Sequence, residues 1–195
     1  SRRHAGGRRR EEGVEIGIRR VRASGGTRRS GALRSGGGGG RARDAVDVDA
    51  RDGCGRTALW HNAWRGDDTG LRHLLDLGAD ASVVDGDGDG PLAAVARRGE
   101  ARCIECVEIL MKSGAPADAR NDDGRTALWH ASNYGRTKVV DAILRGGADA
   151  NAGDRNRATP VHAACAAGRV ACARLLIQNG GDARRLDGDG RSCLH

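Results

Sequence analysis

The chain has 195 residues with no Phe, one Tyr, three Trp and 32 Gly, so it cannot build an aromatic core, and any interior must be made of Leu, Val, Ile and Ala. It contains no run of eighteen apolar residues, which excludes a helix that spans a membrane. The formal charge of +7 is unevenly placed: residues 1–43 hold 13 Arg and 3 Glu, whereas the rest holds 20 basic and 23 acidic residues.

Residues 1–43 come first in chain order and read as a disordered Arg/Gly-rich tail or linker. Five consecutive glycines at 36–40 behave as a flexible connector. Residues 14–18, VEIGI, alternate like a strand, but a lone strand is not stable. Arg-Gly-rich arms bind RNA through charge and guanidinium stacking, which makes nucleic-acid binding an alternative role for this arm. It lacks aromatic side chains on which bases would stack, and it has no regular Arg-Gly-Gly repeat. The favoured reading is a solvated, disordered extension or translated GC-rich sequence, since 31 Arg against two Lys in the whole chain fits a codon bias. The chain begins with Ser and stops partway into a repeat, so it reads as a fragment.

From residue 44 onward a period of 33 residues takes over. GRTALWH occurs at 55–61 and again at 124–130, ATPVHAA at 158–164, and RSCLH at 191–195. Thr57, Gly90, Thr126, Thr159 and Ser192 mark the same position in successive units. Gly66, Gly99, Gly135 and Gly168 are spaced 33, 36 and 33, and Gly78, Gly114, Gly147 and Gly180 are spaced 36, 33 and 33. The two series together place three extra residues after Gly99 and before Gly114. Each unit predicts two short helices. The first starts at a threonine whose hydroxyl meets free N–H groups, and it ends at Gly66, Gly135 or Gly168. The second carries apolar residues at i, i+3 and i+4, as in Val139, Val140 and Ile143. Neither helix buries its stripe alone; stacked neighbours do.

These residues resemble the ankyrin repeat family. Its pattern is met by Asp52–Gly55–Thr57–Leu59–Ala63–Gly66, then Leu71, Leu74, Leu75 and Gly78-Ala79-Asp80. Thr159-Pro160-Val161-His162 is the nearest match to the family's Thr-Pro-Leu-His. The resemblance covers residues 46–195 and implies an all-α repeat solenoid, helix-turn-helix units joined by β-hairpin loops. Its units are expected at about 52–84, 85–120, 121–153 and 154–186, with a truncated fifth at 187–195, within a domain spanning 44–195. Trp60 and Trp129 depart from the family's His, as does Ala93. Gly90 departs from its Thr, which predicts that the second unit is the least stable.

Asp85, Asp87, Asp89 and Gly90 fit the first half of a calcium loop, but Ala93 and Ala96 stand where its later ligands belong. The same place in other units holds Asp52–Gly55, Asn121–Gly124 and Asp187–Gly190, so the stretch reads as an inter-repeat turn. Cys103 and Cys106 have zinc-like spacing without a second ligand pair. No set of nucleophile, base and orienting group is found, and HExxH and GxSxG are absent, so no enzyme, metal or cofactor is expected. The six cysteines read as reduced thiols of an intracellular protein, cytoplasmic or nuclear.

The resemblance implies a protein-interaction module or scaffold that binds a protein partner on the concave face of turns and first helices. A membrane or small-molecule partner is not expected. At the turns this face offers Arg56, Asp87, Asp89, Asp122, Asp123, Arg125, Arg155 and Asn156. At the first helices it offers Trp64, Arg65, Arg97, Arg98, Asn133 and Tyr134. Trp64 and Tyr134 are two of the chain's four Trp and Tyr residues, and Trp, Tyr and Arg dominate interface energetics. A groove from Trp64 to Tyr134 bridged by Arg97 and Arg98 is expected, with Trp64 folded onto the unit-two insertion as the plainer alternative. A third reading is a regulatory array belonging to a larger enzyme.

Overall fold

The computed structural model describes residues 47–99 and 103–193. The expectations for residues 1–43, and part of the three-residue insertion, lie outside them. Eight helices are present among the described residues: α1 (Ala58–Arg65), α2 (Asp68–Asp76), α3 (Pro91–Arg98), α4 (Cys103–Lys112), α5 (Ala127–Asn133), α6 (Thr137–Arg145), α7 (Pro160–Ala166) and α8 (Val170–Gln178). They pair as α1/α2, α3/α4, α5/α6 and α7/α8. The first helices stack as one row, α1–α3–α5–α7, and the second helices as another, α2–α4–α6–α8. The structure is an all-helical repeat solenoid, as the sequence implied.

The helices start where the threonines place them. Thr57 Oγ1 accepts from Trp60 N and Thr126 Oγ1 from Trp129 N, both at 3.2 Å. Thr159 uses a reciprocal arrangement, its own N–H donating to His162 Nδ1 at 3.2 Å. Gly90 offers no side chain to α3, which relies on Pro91 in its first turn. Asp67 caps α2, its Oδ1 accepting from Gly70 N at 3.0 Å.

Every helix has at least one fully buried large aliphatic residue: Leu59, Leu71, Val95, Leu110, Leu128, Ile143, Val161 and Leu176, with Val107 added in α4 and Val139 and Val140 in α6. Ala131 and Ala164 are also fully buried, at the matching point of α5 and α7, as are Ala63 in α1 and Ala94 in α3. A methyl group there lets the inner row pack closely. The core is continuous from unit to unit, so each large residue stabilises two repeats, and truncating Leu128 to Ala removes about 2–5 kcal/mol.

The connections expected as β-hairpins are tight turns, with no strand assigned among the described residues. Each turn opens on an Asp or Asn whose side-chain oxygen gathers two N–H groups of its own loop. Asp52 accepts from Cys54 and Arg56, Asp85 from Asp87 and Asp89, and Asn121 from Asp123 and Arg125. Asp154 and Asp187 repeat this. The turns are then joined to one another by single main-chain bonds: Gly86 N to Cys54 O, Asp122 N to Asp87 O, Arg155 N to Asp123 O and Gly188 N to Asn156 O. The Asp85 carboxylate thus serves its own loop, as the turn reading of that stretch requires.

The close approach of neighbouring turns fixes one residue type. A Cβ on Gly55, at φ +77°, would lie 2.9 Å from Gly86 N. Gly88, Gly124 and Gly190 hold the same left-handed backbone, but the fourth turn carries Arg157 there, at φ +60°. A non-glycine residue in that region stores strain.

Candidate functional site

The first-helix face is built on an aromatic stack in unit one. Trp60 is 4% exposed and lies beneath Trp64, the rings 5.7 Å apart and nearly parallel at 9°. The Arg56 guanidinium covers Trp60 at 4.4 Å, and Arg125 covers Trp129 at the same distance. Trp60 Nε1 donates across the repeat boundary to Asp89 O at 3.2 Å, and His162 Nε2 reaches Arg191 O in the same way. Trp60, which departs from the family pattern, therefore takes over a bridging position. Trp129 Nε1, however, is buried without a hydrogen-bond partner among the described residues. Ala93 stands at this position in unit two, beside a cavity of about 20 Å³ lined by Asp89, Gly90, Asn121 and Arg125.

Asp89 corrects the expectation that it faces a partner. Its residue is 1% exposed, and its carboxylate is occupied from inside the fold. Arg97 Nη1 donates to Oδ2 at 2.7 Å, Asn121 Nδ2 donates to Oδ1 at 2.9 Å, and His130 Nε2 lies 3.5 Å from Oδ1. Burial alone would raise its pKa. The bonds from His130, Asn121 and Arg97 outweigh burial and hold the carboxyl below its ordinary value. Asp89 occupies the site that holds Arg56 and Arg125 in units one and three, which is why a surface role was expected of it.

The other predicted residues divide by what they already hold. Arg56 Nε lies 3.6 Å from Asp85 Oδ2, while Arg125 pairs with Asp123 at 2.9 Å and approaches Asp154 at 3.9 Å. Asp87, Asp122, Arg155 and Asn156 are exposed at the turns, with Asn156 Nδ2 donating to Asp189 at 3.4 Å. On the helices, Trp64 and Tyr134 are exposed at 37% and 41%. Arg98 Nη1 donates to Trp64 O at 2.9 Å, and Arg97 interacts with Tyr134 as well as with Asp89. The structure therefore brings Trp64, Arg98, Arg97 and Tyr134 into one strip across α1, α3 and α5. Trp64 rests on Trp60. Arg65 is exposed at the end of α1, and the Asn133 carbonyl accepts from Arg169 Nε at 3.4 Å.

That last contact belongs to a pattern the sequence reading missed. The C-terminal ends of α1, α3 and α5 are each approached by an arginine of the following repeat: Arg98 donates to Trp64 O, the Arg136 side chain lies against Gly99, and Arg169 donates to Asn133 O. A cation at a helix C-terminus meets unsatisfied carbonyls and the negative end of the macrodipole. The signal was present, since Arg136 and Arg169 each follow a marker glycine and are 33 residues apart.

The family model "Ankyrin repeats (3 copies)" matches residues 59–154 and 140–195. The chain belongs to the ankyrin repeat family. No curated protein matches it. Ankyrin repeats are generally protein-interaction modules and typically not enzymes. No helix among the described residues is long and apolar enough to cross a membrane.

Cys103, Cys106 and Cys172 of this ankyrin array are buried, and Cys54 is exposed. Burial, with Cys103 and nearby acids adding to it, pushes the Cys106 thiol up to about 12. Burial and the neighbouring Cys193 push Cys165 up to about 11. Thiols held this far above the ordinary range are poor nucleophiles at neutral pH, in keeping with a packing role.

Proposed function

We propose that this chain is a non-enzymatic scaffold that binds a protein partner on the face formed by its first helices and turns. The observation that carries this reading is the strip of Trp64, Arg98, Arg97 and Tyr134. Trp64 and Tyr134, half of the chain's Trp and Tyr residues, are exposed on one face and joined through two arginines. Rigid aromatic anchors bordered by arginine have the composition of an interface hot spot. In this reading residues 44–195 are the working domain, and residues 1–43 are an appendage.

The test is capture from a nuclease-treated lysate with the whole chain and with the Trp64→Ala/Tyr134→Ala double variant. Proteins retained by the first and lost by the second, at unchanged thermal stability, support the reading. Capture that is indifferent to both substitutions but disappears on removing residues 1–43 transfers the activity to the basic arm. Capture that depends on neither would point to a different surface.

A further inference from the structure

The junction between unit four and the start of unit five carries a pair of thiols that the scaffold reading does not use. We propose that Cys165 and Cys193 form a site of oxidative modification. A small disulfide such as oxidised glutathione closes an Sγ–Sγ bond there and latches residues 187–193 onto α7.

The repeat register puts the pair at one junction. Cys165 stands six residues after Thr159, where the earlier units have Ala63, Ala96 and Ser132. Cys193 directly follows Ser192, where the earlier units have Pro91, Ala127 and Pro160. Those six residues are all buried, so both positions lie inside each earlier junction. The last junction holds Cys at both, and both are half-buried.

Hydrogen bonds fix the approach. Cys165 and Cys193 interact side chain to side chain, and Cys193 Sγ donates to Ala183 O at 3.1 Å. One turn earlier on α7, His162 Nε2 meets Arg191 O at 3.2 Å. Asp187 Oδ1 closes the turn behind it, accepting from Asp189 N and Arg191 N, both at 2.9 Å. One face of α7 thus holds Arg191 through His162 and Cys193 through Cys165.

Exposure separates this pair from the other neighbouring thiols. Cys103 and Cys106 are fully buried on α4, so a reagent meets them only on unfolding. The half-buried pair is within reach of a small reagent in the folded chain. Burial and Cys193 push the Cys165 thiol up to about 11, so exchange is slow at neutral pH and faster as pH rises. Packing is the role of the reduced pair.

The reaction is two thiol–disulfide exchanges. The thiolate of one cysteine attacks a sulfur of the oxidant and displaces one small thiolate. The thiolate of the other then attacks the protein sulfur of that mixed disulfide and displaces the second. Both cysteine protons pass to solvent or to the departing thiolates, and the oxidant is reduced to two thiols as the Sγ–Sγ bond forms.

The test treats the full folded chain with oxidised glutathione at about pH 8, quenches with acid and maps tryptic peptides without reduction. The expected product joins the peptides 158–169 and 192–195, with the loss of two hydrogen atoms and no glutathione on either. Exposed Cys54 carries glutathione and serves as the control for reagent activity. Limited trypsin treatment of the folded chain should then cleave after Arg191 about tenfold more slowly, because the latch suppresses local opening. Dithiothreitol, or Cys193→Ser, should restore the rate. Glutathione left singly on Cys165 or Cys193, or no change at either while Cys54 is modified, overturns the proposal. A bond from Cys165 to Cys172 overturns it as well. A joined peptide with unchanged cleavage after Arg191 overturns the latch.

Discussion

Arg97 Nη1 donates to Asp89 Oδ2 at 2.7 Å and so ties the last turn of α3 back to the turn that precedes the helix. The same carboxylate takes Asn121 from the next repeat, and the Asp89 carbonyl takes the Trp60 indole from the previous one. One buried acid thereby links three repeats, in the unit that lacks a threonine cap. Arg97 is held to an internal partner and yet reaches the exposed Tyr134, so this link also fixes one end of the candidate binding strip.

Asp89→Ala should destabilise the array by about 3 kcal/mol, because it leaves Arg97 and Asn121 without their buried acceptor. The folded-state pKa of Asp89 is depressed, so its contribution is complete above the ordinary carboxylate range and is lost as pH falls through the folded value. Denaturant unfolding should show a wide gap between wild type and variant at pH 7 that narrows below about pH 4. A gap independent of pH would mean that the charge is not what stabilises.

Gly90→Thr should stabilise the protein by about 1 kcal/mol, through a hydroxyl for the first turn of α3 and a less flexible unfolded chain. The backbone at Gly90 is extended, at φ −79°, and a Cβ there meets only Val84 Cγ1 at 4.0 Å. The midpoint of thermal unfolding should rise by about 2–4 °C. No rise would show that Pro91 alone already fixes the start of the helix.

Arg157→Gly should also stabilise, by about 0.5–1 kcal/mol, because relief of the left-handed backbone exceeds the added entropy of the unfolded chain. The residue is exposed, so little packing is lost. Urea midpoints of the two proteins, compared at equal slope, measure the difference.

Thiol reactivity should follow burial. Cys54 is exposed and should react first with an alkylating agent at pH 8, while Cys103, Cys106 and Cys172 should react only on unfolding. Mass mapping of modified peptides over time decides this. Early modification of Cys106 would contradict both its burial and a thiol pushed up to about 12.

Acid sensitivity should also extend to the first turn. The Arg56 main-chain N–H, the His61 side chain and the Cys54 N–H lower the Asp52 carboxyl from 3.8 to about 2. The stabilisation it gives is complete above pH 4 and disappears as pH falls towards 2. In Asp52→Asn the amide shifts of Cys54 and Arg56 should no longer titrate across that window in NMR spectra.

The sequence by itself determined the register of the solenoid. Thr57, Thr126 and Thr159 begin helices and the apolar pairs of the second helices face inward, because caps and periodicity act within one turn of a helix. Repetition at 33 residues then averages out the ambiguity of any single unit. The tertiary structure decided the contacts that cross from one repeat to the next. Asp89 looked like another turn-tip acid, but Arg97, Asn121 and His130 converge on it and draw it inside. Arg136 and Arg169 had no role in the sequence reading, yet each lies against a helix end of the preceding unit. Asp89, Arg136 and Arg169 act on partners up to 41 residues distant, through long side chains whose direction is set only once the repeats are stacked.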